Sequence, residues 1–160
     1  ADAESAQFAD LKTLAARGVL RNLPPRLLDA PPRIAAATPT ARAALGYLHG
    51  NCGHCHNDVG ALASLDLALA QQAAAPGESA ERTLKSLLGH SRRFRAHDGK
   101  ATQRVVAGAD ESSVLAVRMK TDNPMARMPP LGVGVADREG IALIERWIRT
   151  ATPATEEKQP

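Results

Sequence analysis

Ten residues, "HGNCGHCHND" at positions 49–58, constrain this chain more than any other stretch. They hold both of its cysteines, Cys52 and Cys55, and three of its five histidines, His49, His54 and His56. Little bulk surrounds them. The aromatic residues are Phe8, Tyr47, Phe94 and Trp147, only 2% of 160 residues. Aromatic side chains carry much of the buried area in most domains. Either the fold is helical and packed through small residues, or something other than side chains fills its centre.

Helical spacing dominates the rest of the chain. Phe8, Leu11, Leu14 and Ala15 predict a helix over 5–17, with Gly18 as its stop. Two Pro-Pro pairs follow, at 24–25 and 31–32. Proline lacks a donor and fixes its own φ, so this stretch is expected to be an extended connector. Residues 1–37 therefore form an arm, 38–150 the main domain, and 151–160 a disordered tail. Thr38 and Pro39 suit the N-cap and first position of a helix whose Ala41, Ala44, Leu45 and Leu48 recur at i, i+3, i+4 and i+7. That helix is expected to run out near Gly50, directly before Cys52. Pro76-Gly77 breaks an ambiguous stretch over 61–75, and "ESAERTLKSLL" is a further helix stopped by Gly89. Asp110 is expected to cap a helix through "ESSVLAVRM". Asp137 is expected to cap one through "REGIALIERWIRTA", with Ile141, Ile144, Trp147 and Ile148 on one face. "NPMARMPPLGVGV", with three prolines and two glycines in thirteen residues, excludes regular structure. Val105-Val106 is the only short extended candidate, and the expected class is all-α.

The formal charge of +3 is mild, and Lys and Arg are scattered apart from Arg92, Arg93 and Arg95. Without aromatic stacking platforms, nucleic acid is not an expected partner. A basic face suits an acidic protein partner. No apolar run is long enough to span a membrane. The chain begins Ala1-Asp2-Ala3-Glu4, which fits a mature product whose signal peptide has been removed.

Three chemistries use a C-x-x-C stretch. A redox dithiol sits between a strand and a helix N-terminus. Here the motif follows a helix, and no βαβ pattern surrounds it. A structural zinc site wants four ligands in two close pairs. The second pair is missing, and His90 and His97 lie seven apart in a polar loop. Read through His56, the motif becomes C-x-x-C-H, a haem attachment site. Two thiols three apart reach two vinyl groups of one porphyrin, and the adjacent histidine is delivered to the iron. A second ligand is then expected from a distant loop. Met128 in "ARMPPLG" is the candidate, with Pro129-Pro130 stiffening the backbone that presents it.

With these pieces in order, the chain resembles a monohaem c-type cytochrome of the all-helical, class I bacterial kind with an N-terminal extension. The resemblance rests on "YLHGNCGHCHN" (47–57), "RVVAGADESSVLAVRM" (104–119), "RMPPLG" (127–132) and "GIALIERWI" (140–148), and covers residues 38–150. It implies a cytochrome c-like helical fold around one covalently bound haem c. Cys52 and Cys55 are the implied thioether links, and His56 and Met128 the implied axial ligands of the iron. Met125 is the competing sulfur, since it lies in the same loop. His90 and His97 are further alternatives for the sixth ligand. Arg118 and Arg127 are candidates for the haem propionates. His49 is expected at a helix end, His54 outward, and Met119 and Trp147 in the core. The resemblance also implies that Gly46 and Tyr47 meet the last helix near Trp147. Family members often carry a proline after the motif whose carbonyl orients the ligand histidine. This chain has none, and a carbonyl near Gly60 is the expected substitute. A loop over 89–103 accounts for the long span from His56 to Met128.

The implied function is single-electron transfer between redox proteins, without catalysis at the iron, in the periplasm or another exported location. A haem-bearing electron-acceptor subunit of a dehydrogenase or oxidase is the alternative. A gas or peroxide site with an open sixth position is a third reading.

Overall fold

The computed structural model describes residues 10–88, 101, 103–131 and 134–152. Phe8, Gly89, His90, Arg92, Arg93, Phe94, Arg95, His97, nearly all of the 89–103 insertion and residues 153–160 lie outside them. The described part is all-α. Its helices are α1 (Leu11–Ala16), α2 (Pro25–Asp29), α3 (Pro39–Asn51), α4 (Pro76–Leu87), α5 (Val114–Lys120) and α6 (Arg138–Thr150). Among the described residues, extended pairing is confined to isolated bridges, Leu88 with Val105 and Gln103 with Ser113.

Local chemistry starts and stops these helices. Asp10 caps α1 through the Thr13 N–H, and Gly18 follows it at a φ of 68°. Thr38 caps α3 by accepting the Ala41 N–H at 3.1 Å, and Asp137 caps α6 by accepting the Gly140 N–H at 2.9 Å. Each cap satisfies a donor that has no partner inside its helix.

Three expectations about these helices change. The connector contains a helix, α2, with Pro25 in its first turn, and Pro76 likewise opens α4 instead of breaking the chain before it. In a first turn the missing N–H costs nothing, because no carbonyl precedes it there. α3 runs out at Asn51, directly before Cys52, as expected. Asp110 does not cap α5. It opens a 3-10 turn, and its carboxylate accepts instead from Arg149 of α6 at 2.9 Å.

α3 and α6 cross, and this crossing builds the core. Ala44, Leu45 and Leu48 of α3 and Ile144, Trp147 and Ile148 of α6 are buried, with Leu69, Leu87, Val105 and Ala116 packed among or beside them. Met119 and Leu115 pack against the same cluster. The small residue at the crossing is Gly140, not Gly46. A Cβ on Gly140 would overlap the Tyr47 ring, whereas one on Gly46 would meet Ile34 of the arm at 3.5 Å. Gly46 thus serves the arm, which also docks through its Ile34 carbonyl on Arg42 Nε at 3.1 Å. The Tyr47 hydroxyl reaches the Asp137 carboxylate. Burial first, and that bond second, push its pKa up to about 12.

Candidate functional site

The last turn of α3 delivers the first cysteine. Cys52 N–H donates to Leu48 O at 2.9 Å, and Gly53 N–H donates to both Leu48 O and His49 O. The chain then folds back on the Cys52 carbonyl, which accepts from Cys55 N at 3.1 Å and His56 N at 2.9 Å. Gly53 is buried where this turn touches another segment. A Cβ there would lie 2.7 Å from His49 O and 3.1 Å from Ala70 Cα. A strap over 69–71 closes the motif from that side. Leu69 N–H donates to His56 O at 2.9 Å, and Gln71 N–H donates to His49 Nδ1 at 3.0 Å. His49 is therefore an exposed helix-end residue with a structural bond.

Asn57 buckles the turn. Its Nδ2 donates to Gly53 O and His54 O, and its Oδ1 accepts from Val59 N and, at 2.7 Å, from Gly60 N. The sequence held a signal for this, because asparagine bonds to backbone two residues on. Arg104 was also missed. Its guanidinium donates to Asp66 O and Ser86 O, each at 2.6 Å, and to Leu65 O. A forked side chain with five donors suits three carbonyls converging from two segments.

The other wall comes from the proline-rich loop. Met128, Pro129, Pro130 and Leu131 face Asn51, Cys52, His54, Cys55 and His56 across a cavity of about 160 Å³. The Met128–Pro129 peptide bond is cis. Met125 is 89% exposed and does not line this cavity. His54 is exposed, yet it contributes to the lining. Arg118 and Arg127 brace the loop. Arg118 Nε donates to Ala126 O at 2.8 Å, and Arg127 Nε donates to Thr121 O at 3.0 Å.

The electrostatics separate the chemistries. Burial, then the nearby Cys55, raise the Cys52 thiol to about 11. Cys52 also follows a helix C-terminus, where the dipole opposes a thiolate. A reactive dithiol needs the reverse. Among the described residues, no three of His, Cys, Asp and Glu gather so as to hold a metal ion. His56 titrates below its ordinary range because it is buried, and because Arg118, Arg104 and His54 add positive charge nearby. It is thereby held as neutral imidazole, the form that ligates a metal.

His56 Nδ1 is buried with no hydrogen-bond partner. The Gly60 carbonyl does not fill that role: it accepts from Ala63 N at 3.0 Å and makes no bond to His56. A buried polar atom without a partner calls for an explanation. A ring completed by a bound group is one that this donor set fits. Two thiols, a neutral imidazole and a thioether border one cavity together with Pro129, Pro130 and Leu131, a set that fits a haem attached through the thiols and ligated at iron by the imidazole and the thioether.

Comparisons with family models, with curated proteins and with solved structures give no match, so the functional reading rests on the chain's own residues.

Proposed function

We propose that this chain is a monohaem c-type cytochrome, a single-electron carrier between redox proteins. The observation that carries the reading is that Met128 and the C-x-x-C-H residues line one cavity, although 71 residues separate His56 from Met128. In this reading Cys52 and Cys55 would hold the haem through thioethers, and His56 and Met128 would ligate its iron. The bound haem supplies a one-electron ferrous–ferric couple, with methionine ligation favouring the ferrous form.

The protein's share is positional. α3 and the strap over 69–71 hold His56 from one side. The braces on the proline-rich loop hold Met128 from the other. Pro129, Pro130 and Leu131 give that wall of the cavity an apolar surface. In this reading Arg118 and Arg127, which brace the loop, are also the candidates for the propionates. Thioether formation requires free thiols and haem outside the cytoplasm, so an exported, periplasmic location follows. The mild positive charge suits an acidic docking partner.

Intact-mass measurement of the denatured protein, with a pyridine haemochrome spectrum, tests attachment. One haem is expected to remain on the chain through two thioethers. Release of haem into acidified organic solvent refutes it. Copurification and native size separate a free carrier from an electron-acceptor subunit held through residues 1–37. Carbon monoxide separates both from an open gas or peroxide site, since a firm methionine–iron bond resists it.

A further inference from the structure

The loop that carries Met128 is fastened to the end of α5 by two atoms of one residue. Arg118 accepts the Met128 N–H on its carbonyl at 2.9 Å and donates from its side-chain Nε to the Ala126 carbonyl at 2.8 Å. Arg118 stands in the last turn of α5, where helix carbonyls lack intrahelical partners. The loop supplies that partner, and the side chain returns a bond to the loop two residues earlier. The bond from the guanidinium is charge-assisted and part-buried, which makes it stronger than a neutral one in water. Arg127 acts elsewhere. Its Nε and guanidinium reach Thr121 and Asp122, in the neck between α5 and the loop.

We propose that Arg118 is the positioning residue of the axial ligand, its two-atom clasp setting the loop so that Met128, and not Met125, stands opposite His56. The assignment rests on the cytochrome reading above. It explains why two methionines three residues apart have opposite surroundings, one lining the cavity and the other exposed.

Three variants of the full-length protein test the clasp. Arg118→Met keeps the apolar stem and deletes the donor. Arg118→Lys keeps the charge but moves the donor, and covers the case in which Arg118→Met does not fold. Arg104→Met removes another positive charge close to His56, yet that side chain holds Leu65, Asp66 and Ser86 and not the loop. In Arg118→Met the sulfur-to-iron charge-transfer band of the ferric protein is expected to weaken. Ferrous affinity for carbon monoxide should rise about tenfold or more, the scale of one lost hydrogen bond to a charged group. The Met128 amide should exchange faster by a similar factor while Trp147 fluorescence stays native. Arg118→Lys is expected to fall between parent and Arg118→Met, and Arg104→Met to open the site less than Arg118→Met does, with the Met128 amide exchanging at the parental rate. A parental band, affinity and exchange rate in Arg118→Met overturn the clasp. So does an equal opening in Arg104→Met, which would assign the effect to charge. A parent that holds no haem overturns the cytochrome reading instead, and exchange at the Met128 amide then decides the clasp alone.

Discussion

Gly53 occupies a position that the C-x-x-C-H pattern leaves open, yet the packing leaves it no freedom. The space where a Cβ would go is taken by His49 O and the Ala70 backbone, neither of which can rotate aside. Gly53→Ala is therefore expected to destabilise the protein by about 1–3 kcal/mol, the usual cost of overpacking. The urea midpoint should fall with an unchanged slope, and an unaltered midpoint would contradict the packing argument. Met128 is the other decisive residue. On the proposed cytochrome reading, Met128→Ala is expected to abolish the sulfur-to-iron band and lower the potential, while Met125→Leu, at an exposed position, leaves both near parental. Survival of the band in the first variant and its loss in the second would reverse the assignment.

Two helices meet where Tyr47 of α3 lies on Gly140 of α6. Gly140→Ala is expected to cost about 1–3 kcal/mol by the same steric logic. In a double-mutant cycle, Tyr47→Leu should relieve part of that cost, because it removes the ring that the new methyl strikes. Strict additivity of the two changes would mean that the helices do not meet there. The same tyrosine reports on the crossing through its titration. Its folded pKa of about 12 lies above the ordinary value of 10.0, so the fold favours the protonated phenol. The stability it contributes is complete below about pH 10 and is lost as pH rises towards 12. As the chain's only tyrosine, it can be followed by phenolate absorbance. Asp137→Asn should lower its midpoint, since the carboxylate both accepts its proton and repels the phenolate. An unchanged midpoint would remove Asp137 as a cause.

On the scale of the whole molecule, the apolar core among the described residues is built from aliphatic residues, alanines and one tryptophan. A group that binds only the folded chain adds its binding free energy to stability. The double variant Cys52→Ser/Cys55→Ser, which cannot form thioethers, is expected to lose most of its cooperative thermal transition. A transition close to that of the haem-bearing protein would show that the side chains suffice alone.

What the sequence determined by itself is what depends on neighbours along the chain. Thr38 and Asp137 announced α3 and α6 because a cap needs only the next three residues. Periodicity placed Ala44, Leu48, Ile144 and Trp147 in the core because a helix's faces follow from its own period. The spacing of Cys52, Cys55 and His56 marked side chains that line one cavity. Tertiary structure alone decided which partner each group met. Asp110 looked like a cap until Arg149, 39 residues away, claimed its carboxylate. Gly46 and Gly140 were alike as small helical residues until the crossing put one under Ile34 and the other under Tyr47. Arg104 and Arg118 had no periodic signal, because their bonds go to backbone carbonyls. Every residue carries such a carbonyl, so composition cannot mark the partner, and only the folded path brings it within 3 Å.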